Sequence, residues 1–265
     1  MKKLFAVILA LGMLAGLFAC GKAEPASGEH NPFPFVYTTG KFSIRYRVED
    51  GVAVVYDGWD DQDYDAPLVV PLTIDGMPID WNSDDGSVYL RKVHCSELIV
   101  PEGIKNVCVD LFSAKVAKLS ASVEVFEIGR GPVGRIEVDP ANPYLSSIDG
   151  VLYNKEGTIL LQYPTGSELK RYTIPDGVKE IAQEAIDFCR PVELREVVIP
   201  PSVTVFPELD YIIESYAYGL TFIVAPGSAA ETYFTEQAQS EEYKEEKQRR
   251  QTDKEPFILR VQDMG

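Results

Sequence analysis

The sequence predicts a β-rich α+β solenoid of short stacked parallel strands, with a hairpin capping its N-terminal end and a helical tail at its C-terminal end. Three observations carry that prediction. A phrase repeats: RYTIPDGVKEI at 171–181 is rewritten as REVVIPPSVTVF at 195–206. Each copy turns sharply at a proline. Alternating runs with turn signals flank the repeats.

The repeat frame is counted from Pro175 and Pro200 as position zero. Ile174 and Ile199 stand at minus one, Tyr172 and Val197 at minus three, and Leu169 and Leu194 at minus six. Val178 and Val203 stand at plus three, Ile181 and Phe206 at plus six. The frame recurs upstream as Cys95, Leu98, Val100, Pro101, Ile104 and Val107, and as Leu68, Val70, Pro71, Ile74 and Met77. Without a proline it recurs around Ser120 (Leu119, Val123, Phe126), around Asp139 (Val133, Ile136, Val138) and around Ala225 (Phe222, Val224). Residues two apart on a strand share a face, so minus three and minus one point into one core. Proline has no N–H for a ladder and is confined to strand ends. One such strand cannot bury its apolar face alone; stacked copies build a continuous core. At minus two, Thr173 is polar but Ile99 and Val198 are aliphatic, so part of the outward face invites a covering segment or a partner.

The long interval between Asp139 and Pro175 has a local cause. SIDGVLYNKEGTILLQYP, 147–164, holds two apolar runs around Asn154-Lys155-Glu156-Gly157. It reads as a hairpin inserted into one repeat. Residues 34–64 are expected to hold the N-terminal capping hairpin, with KFSIRYRVEDGVAVVYDG turning at Glu49-Asp50-Gly51. Residues 65–235 are the repeats. Residues 236–265 form a charged helical or disordered tail, in which PFILRV, 256–261, is an apolar fragment able to dock as a short strand.

The N-terminal residues predict a compartment. Lys2 and Lys3 precede an apolar run, Leu4–Ala19, too short to span a bilayer as a helix. That is the pattern of a signal peptide, assigned to residues 1–20. Leu17-Phe18-Ala19-Cys20 resembles the bacterial lipobox, although Phe18 stands where that pattern usually has a smaller residue. The resemblance implies lipid on Cys20, an extracytoplasmic chain anchored to a bacterial membrane, and surface display as a further expectation. Residues 21–33, GKAEPASGEHNPF, read as a flexible tether.

The frame L-x-x-I-x-I-P-x-x-V-x-x-I resembles the BspA-like leucine-rich repeat family of bacterial surface proteins. TIDGMPI (73–79), DGVLYNKEGTILLQYP (149–164), IPDGVKEIAQEA (174–185) and APGSAAETY (225–233) are similar to its phrases. The Ala-Phe that usually closes each repeat appears only as Glu184-Ala185-Ile186, and the repeats around 108–135 are short. The resemblance implies adhesion to protein or matrix without catalysis. The alternatives are a structural envelope lipoprotein with a fixed bacterial partner, and an enzyme using carboxylates of the 57–85 region.

A formal net charge of −16 argues against nucleic acid or anionic lipid as partner. GRGPVG, 129–134, matches G-x-G-x-x-G, but Pro132 and the strand-like RIEVDP deny it the helix a dinucleotide needs. In DGWDDQDYD, 57–65, Asp61, Asp63 and Asp65 alternate as in a calcium loop, yet Ala66 and Leu72 stand where an EF-hand needs glycine and glutamate. No cofactor or metal is implied. His94 beside Cys95 is the one nucleophile-like pair, and Cys95 falls on a core position of the frame. Cys95, Cys108 and Cys189 are an odd set; they read as small core side chains, or as a Cys95–Cys108 disulfide with one left over. Trp59, Tyr64, Trp81 and Tyr89 cluster among acidic residues. Trp59, Asp60, Asp61, Asp63 and Tyr64 are therefore the candidate protein-ligand contacts, since aromatics are enriched at interfaces.

Overall fold

The computed structural model describes residues 24–25, 34–39, 42–60, 65–81, 88–91, 93–110, 113–129, 131–183, 185–186, 193–208, 220–249 and 257–264. Cys20 and Cys189 lie outside them, as do Asp61, Asp63 and Tyr64.

The chain begins with β1 (Glu24–Pro25), β2 (Phe35–Thr39), β3 (Phe42–Glu49) and β4 (Val52–Asp60), paired antiparallel in that order. The β3–β4 turn places Asp50 at φ 49° and Gly51 at φ 80°, the left-handed pair a two-residue hairpin requires. Phe42, Ile44 and Tyr46 alternate inward and are almost fully buried. The cap is larger than the predicted hairpin. Beyond β5 (Pro67–Val69), the short hairpin β6 (Thr73–Ile74) and β7 (Met77–Asp80) adds to β4 and completes a six-stranded sheet.

The first repeat block follows. β8 (Val88–Arg91), β9 (His94–Val100), β10 (Asn106–Asp110), β11 (Ser113–Leu119), β12 (Val125–Ile128) and β13 (Val133–Val138) form two parallel sheets, ordered β5-β9-β11-β13 and β8-β10-β12. The ladder register is the repeat frame itself. Leu68, Leu98, Ala117 and Ile136, all at minus three, lie side by side. Each is at most 2% exposed. The plus-six residues Val107 and Phe126 pair in the facing sheet. Returning segments thus build a second wall of the solenoid.

The insertion is a three-stranded meander, β14 (Leu145–Ile148), β15 (Val151–Asn154) and β16 (Ile159–Gln162). Its first turn is Asp149-Gly150, both at positive φ. Gly150 is required twice over, because a Cβ there would lie 2.7 Å from Cβ of Arg135. The second turn is the predicted one. There the Asn154 side-chain carbonyl accepts from the Thr158 and Ile159 N–H groups, both at 2.8 Å.

The second block resumes with β17 (Arg171–Thr173), β18 (Glu180–Ile181), β19 (Glu196–Ile199) and β20 (Leu220–Val224), then α1 (Ala229–Gln237), α2 (Glu241–Arg249) and β21 (Phe257–Val261). Tyr172, Val197 and Phe222 align at minus three, and Leu259 continues the row. The apolar fragment of the tail is therefore a further rung, in parallel order β17-β19-β20-β21. α1 replaces the return strand after Ala225. Ser228 caps it by accepting from Glu231 N–H at 3.2 Å, and Ala230 and Phe234 are its buried residues. One expected core position differs: Leu169 at minus six is 48% exposed, whereas Leu194 is buried. Residues 164–169 form a turn fastened to β13 by Gly166 N–H to Val133 C=O at 2.8 Å rather than a strand, and Leu169 at its end is left exposed.

A side-chain spine stitches the turns. Val178 N–H closes its turn on Pro175 C=O, and Val203 does the same on Pro200. Gly177, at φ 95°, donates its N–H to Ser202 Oγ of the next rung at 3.2 Å. Gly103, at φ 99°, donates to Ser122 Oγ at 2.9 Å. Buried residues fall into two clusters, one running from Tyr37 to Leu152 and the other from Val151 to Phe257, which meet at the meander. Two parallel walls, built from rungs in a common register, make this a leucine-rich-repeat-type solenoid.

Candidate functional site

The rungs bring four segments, Val88 of β8 among them, to one open depression of about 380 Å³. Pro71 and Leu72 come from the turn after β5, Ile79 and Trp81 from β7 and just beyond it, and Gly103–Asn106 from the turn between β9 and β10. Pro71 and Gly103 are there because zero and plus two are the turn positions of the frame. Trp81 is half-buried and packs on the first core cluster. Leu72 is 51% exposed at the rim, and Val69, at minus two of β5, is 52% exposed. The polar rim is Lys105 and Asn106. Lys105 Nζ lies 2.7 Å from Glu124 Oε1, and that hydrogen bond raises its pKa above the usual lysine value, keeping it charged. An open recess with a tryptophan wall, a leucine rim and a lysine paired to Glu124 offers a partner both apolar and polar surface.

Of the aromatic cluster read from the sequence, Trp81 lines this depression. Trp59 and Asp60 lie on β4, paired with Ser43 and Phe42 of β3; their side chains, like Asp61, Asp63 and Tyr64, are outside what the structure describes. Asp65 is exposed and ion-paired with Lys115 at 2.8 Å. Among the described residues no group of three His, Cys, Asp or Glu side chains is placed to hold a metal ion. His94 is exposed while its neighbour Cys95 is buried, as alternation along β9 dictates. The two side chains therefore face opposite ways from the strand. Neither Cys95 nor Cys108 is in a disulfide; they stand on strands of different sheets, so the alternative pairing is not made. GRGPVG joins β12 to β13 and opens no helix. A Cβ at Gly134 would lie 2.6 Å from Lys115 O, which gives the last glycine a packing reason.

Two features escaped the sequence. Tyr153, Tyr163 and Tyr172 are buried together beneath the meander, with the Tyr153 and Tyr172 hydroxyls in direct hydrogen-bond contact. Burial pushes Tyr153 up to about 12 and Tyr172 higher still. Raised pKa values mean the trio favours folding fully below the ordinary tyrosine value of 10, and that contribution is lost as pH rises from there through about 12. It is a structural group, neutral at physiological pH. The second feature is Glu196 on the outward face, which takes Arg260 at 2.8 Å and Arg171 at 3.3 Å.

No family model matches the chain, and no curated protein matches it. Among solved structures, a leucine-rich repeat protein from Eubacterium ventriosum is similar at 17% identity and a TM-score of 0.37, covering 71% of this chain and 64% of that one. The pneumococcal vaccine antigen PcpA is similar at 13% identity and a TM-score of 0.27, covering 65% of this chain and 66% of its own. The chain spans less than two thirds of the length of each. The leucine-rich-repeat-type fold rests on the ladders of the chain itself.

Proposed function

We propose that this chain is a non-catalytic binding protein of a bacterial envelope, lipid-anchored through Cys20, which uses its repeat scaffold to engage a protein ligand. The observation that carries the binding half is the depression beside Trp81, where Leu72 leaves apolar surface exposed on an acidic chain. Such a surface fits a neutral or basic segment presenting an apolar side chain. The acidic stretch holding Trp59, Asp60, Asp61, Asp63 and Tyr64 belongs to the same N-terminal end of the repeats and is proposed as a second contact.

Leu72→Asp tests the depression. It puts a charge on an exposed rim position, so the melting temperature should hold within a few degrees while partner capture falls at least tenfold, the loss of an interface anchor. Tyr56→Ala, changing an exposed residue of the cap, should leave capture unchanged. Equal capture by Leu72→Asp and the parent protein would remove the depression from the interface.

The anchor is tested separately. Cys20→Ser should move the chain from the membrane fraction to the soluble fraction, since a lipid-free chain loses stable attachment. Retention at the membrane would overturn the lipid assignment. Protease treatment of intact cells should degrade the domain; full protection would favour a structural envelope role over surface binding.

A further inference from the structure

We propose that β21 is a displaceable terminal rung, held closed by an ionic clamp that salt loosens. The first support is depth. Along β17, β19 and β20, the minus-three and minus-one residues Tyr172, Ile174, Val197, Ile199, Phe222 and Val224 are all buried. In β21 the matching residues are Leu259, half-buried, and Val261, 44% exposed. The register continues, but the burial does not.

The second support is how the strand is held. Phe257 is its deep anchor, with ring centroids 5.9 Å from Phe222, 5.3 Å from Phe234 and 5.1 Å from Tyr243. Tyr243 also donates its hydroxyl to Phe257 C=O at 3.3 Å. Beyond that anchor, β21 pairs with β20 as far as Val261, Gln262 N–H donates to Val224 C=O at 2.9 Å, Leu259 packs on the second cluster, and Arg260 adds an ionic hold. Arg260 stands opposite Ile223 of β20, yet its guanidinium reaches across β20 to Glu196 on β19. Arg171 holds Glu196 from the other side. Both arginines are about half exposed, at 50% and 53%, so dissolved salt reaches the clamp and screens it.

The third support is what the rung covers. On the outward face Val198 is 7% and Ile223 1% exposed, although minus two points away from the core. They floor a depression of about 370 Å³ whose wall includes Gln262, Asp263 and Met264. Releasing β21 from Ile258 onward removes that wall and frees the edge of β20. The opening is a local one, because the strand's side chains past Phe257 carry little of the core.

Hydrogen exchange on the full chain tests this. Residues 258–262 should exchange faster than residues 196–199. Raising the salt to about 1 M should speed exchange at 258–262 by up to about fivefold, the range of an exposed ion pair. Glu196→Gln should show that faster exchange already at low salt and lose the salt response. Arg260→Gln breaks the same clamp without altering β19 and should behave alike. Equal protection of 258–262 and 196–199, or a salt response that survives in Arg260→Gln, would overturn the proposal.

Discussion

Phe234→Ala is expected to destabilise the second repeat block by about 3–5 kcal/mol, the cost of emptying a buried phenylalanine site. Phe234 is 1% exposed and stands where a return strand would otherwise close the rung after Ala225. Its ring stacks on Phe222 at 4.3 Å and meets Phe257, Phe206 and Tyr233 edge-on. One side chain therefore ties helix α1, strand β20 and the terminal rung together. A loss of that size is a large part of the stability of an ordinary domain. Among the described residues the two buried clusters meet around the meander, so the damage should be uneven. Hydrogen exchange should show residues 171–264 opening well before residues 35–138, with the first block keeping its protection. Phe234→Leu, which refills most of the volume, should cost less. Loss of protection at the same rate in both blocks would show that the solenoid unfolds as one unit.

The ladder was legible in the sequence because each rung states its own register. Apolar residues two apart, followed by a turn residue, align in only one way without turning the core face outward. That logic places Leu68, Leu98, Ala117 and Ile136 in one row and Tyr172, Val197 and Phe222 in another. The frame does not mark every rung. Phe257–Val261 has no proline after it, and two charged helices separate it from Ala225. The candidate site was harder to see for a different reason. The aromatic cluster suggested Trp59 and Tyr64, which are close in the chain. Trp81 of the same cluster meets Leu72 and Lys105 in the depression, and that meeting follows from the stacking of rungs rather than from any local pattern. Glu196, Arg171 and Arg260 come together the same way.

Asn142→Ala should cost about as much as a core cavity, although it removes a polar side chain. Asn142 occupies plus three of its repeat, the place taken by Ile104, Val123, Val178 and Val203 elsewhere, and it is fully buried. Its amide nitrogen donates to Ser120 C=O at 2.9 Å and to Val123 C=O at 2.7 Å. Its carbonyl accepts from the Tyr144 and Leu145 N–H groups, both at 2.8 Å. One side chain thus fastens the end of the first block to the preceding rung and starts β14 in place of a return strand. Truncation leaves two carbonyls and two N–H groups without these partners, at about 1–3 kcal/mol for each that stays buried; allowing for water entry, a total of about 3–5 kcal/mol is expected. Asn142→Val is the sharper test. It restores the aliphatic residue that the frame prefers at plus three, so a purely apolar role for the site predicts a stable protein. The hydrogen-bonding role predicts a loss as large as that of alanine, read as a lower denaturation midpoint, with faster exchange at Tyr144 and Leu145. Asn142→Asp keeps the two acceptor contacts but turns an oxygen toward the Ser120 and Val123 carbonyls, so it should also destabilise, and more at neutral pH than at acid pH, where a protonated carboxyl can donate to one of them.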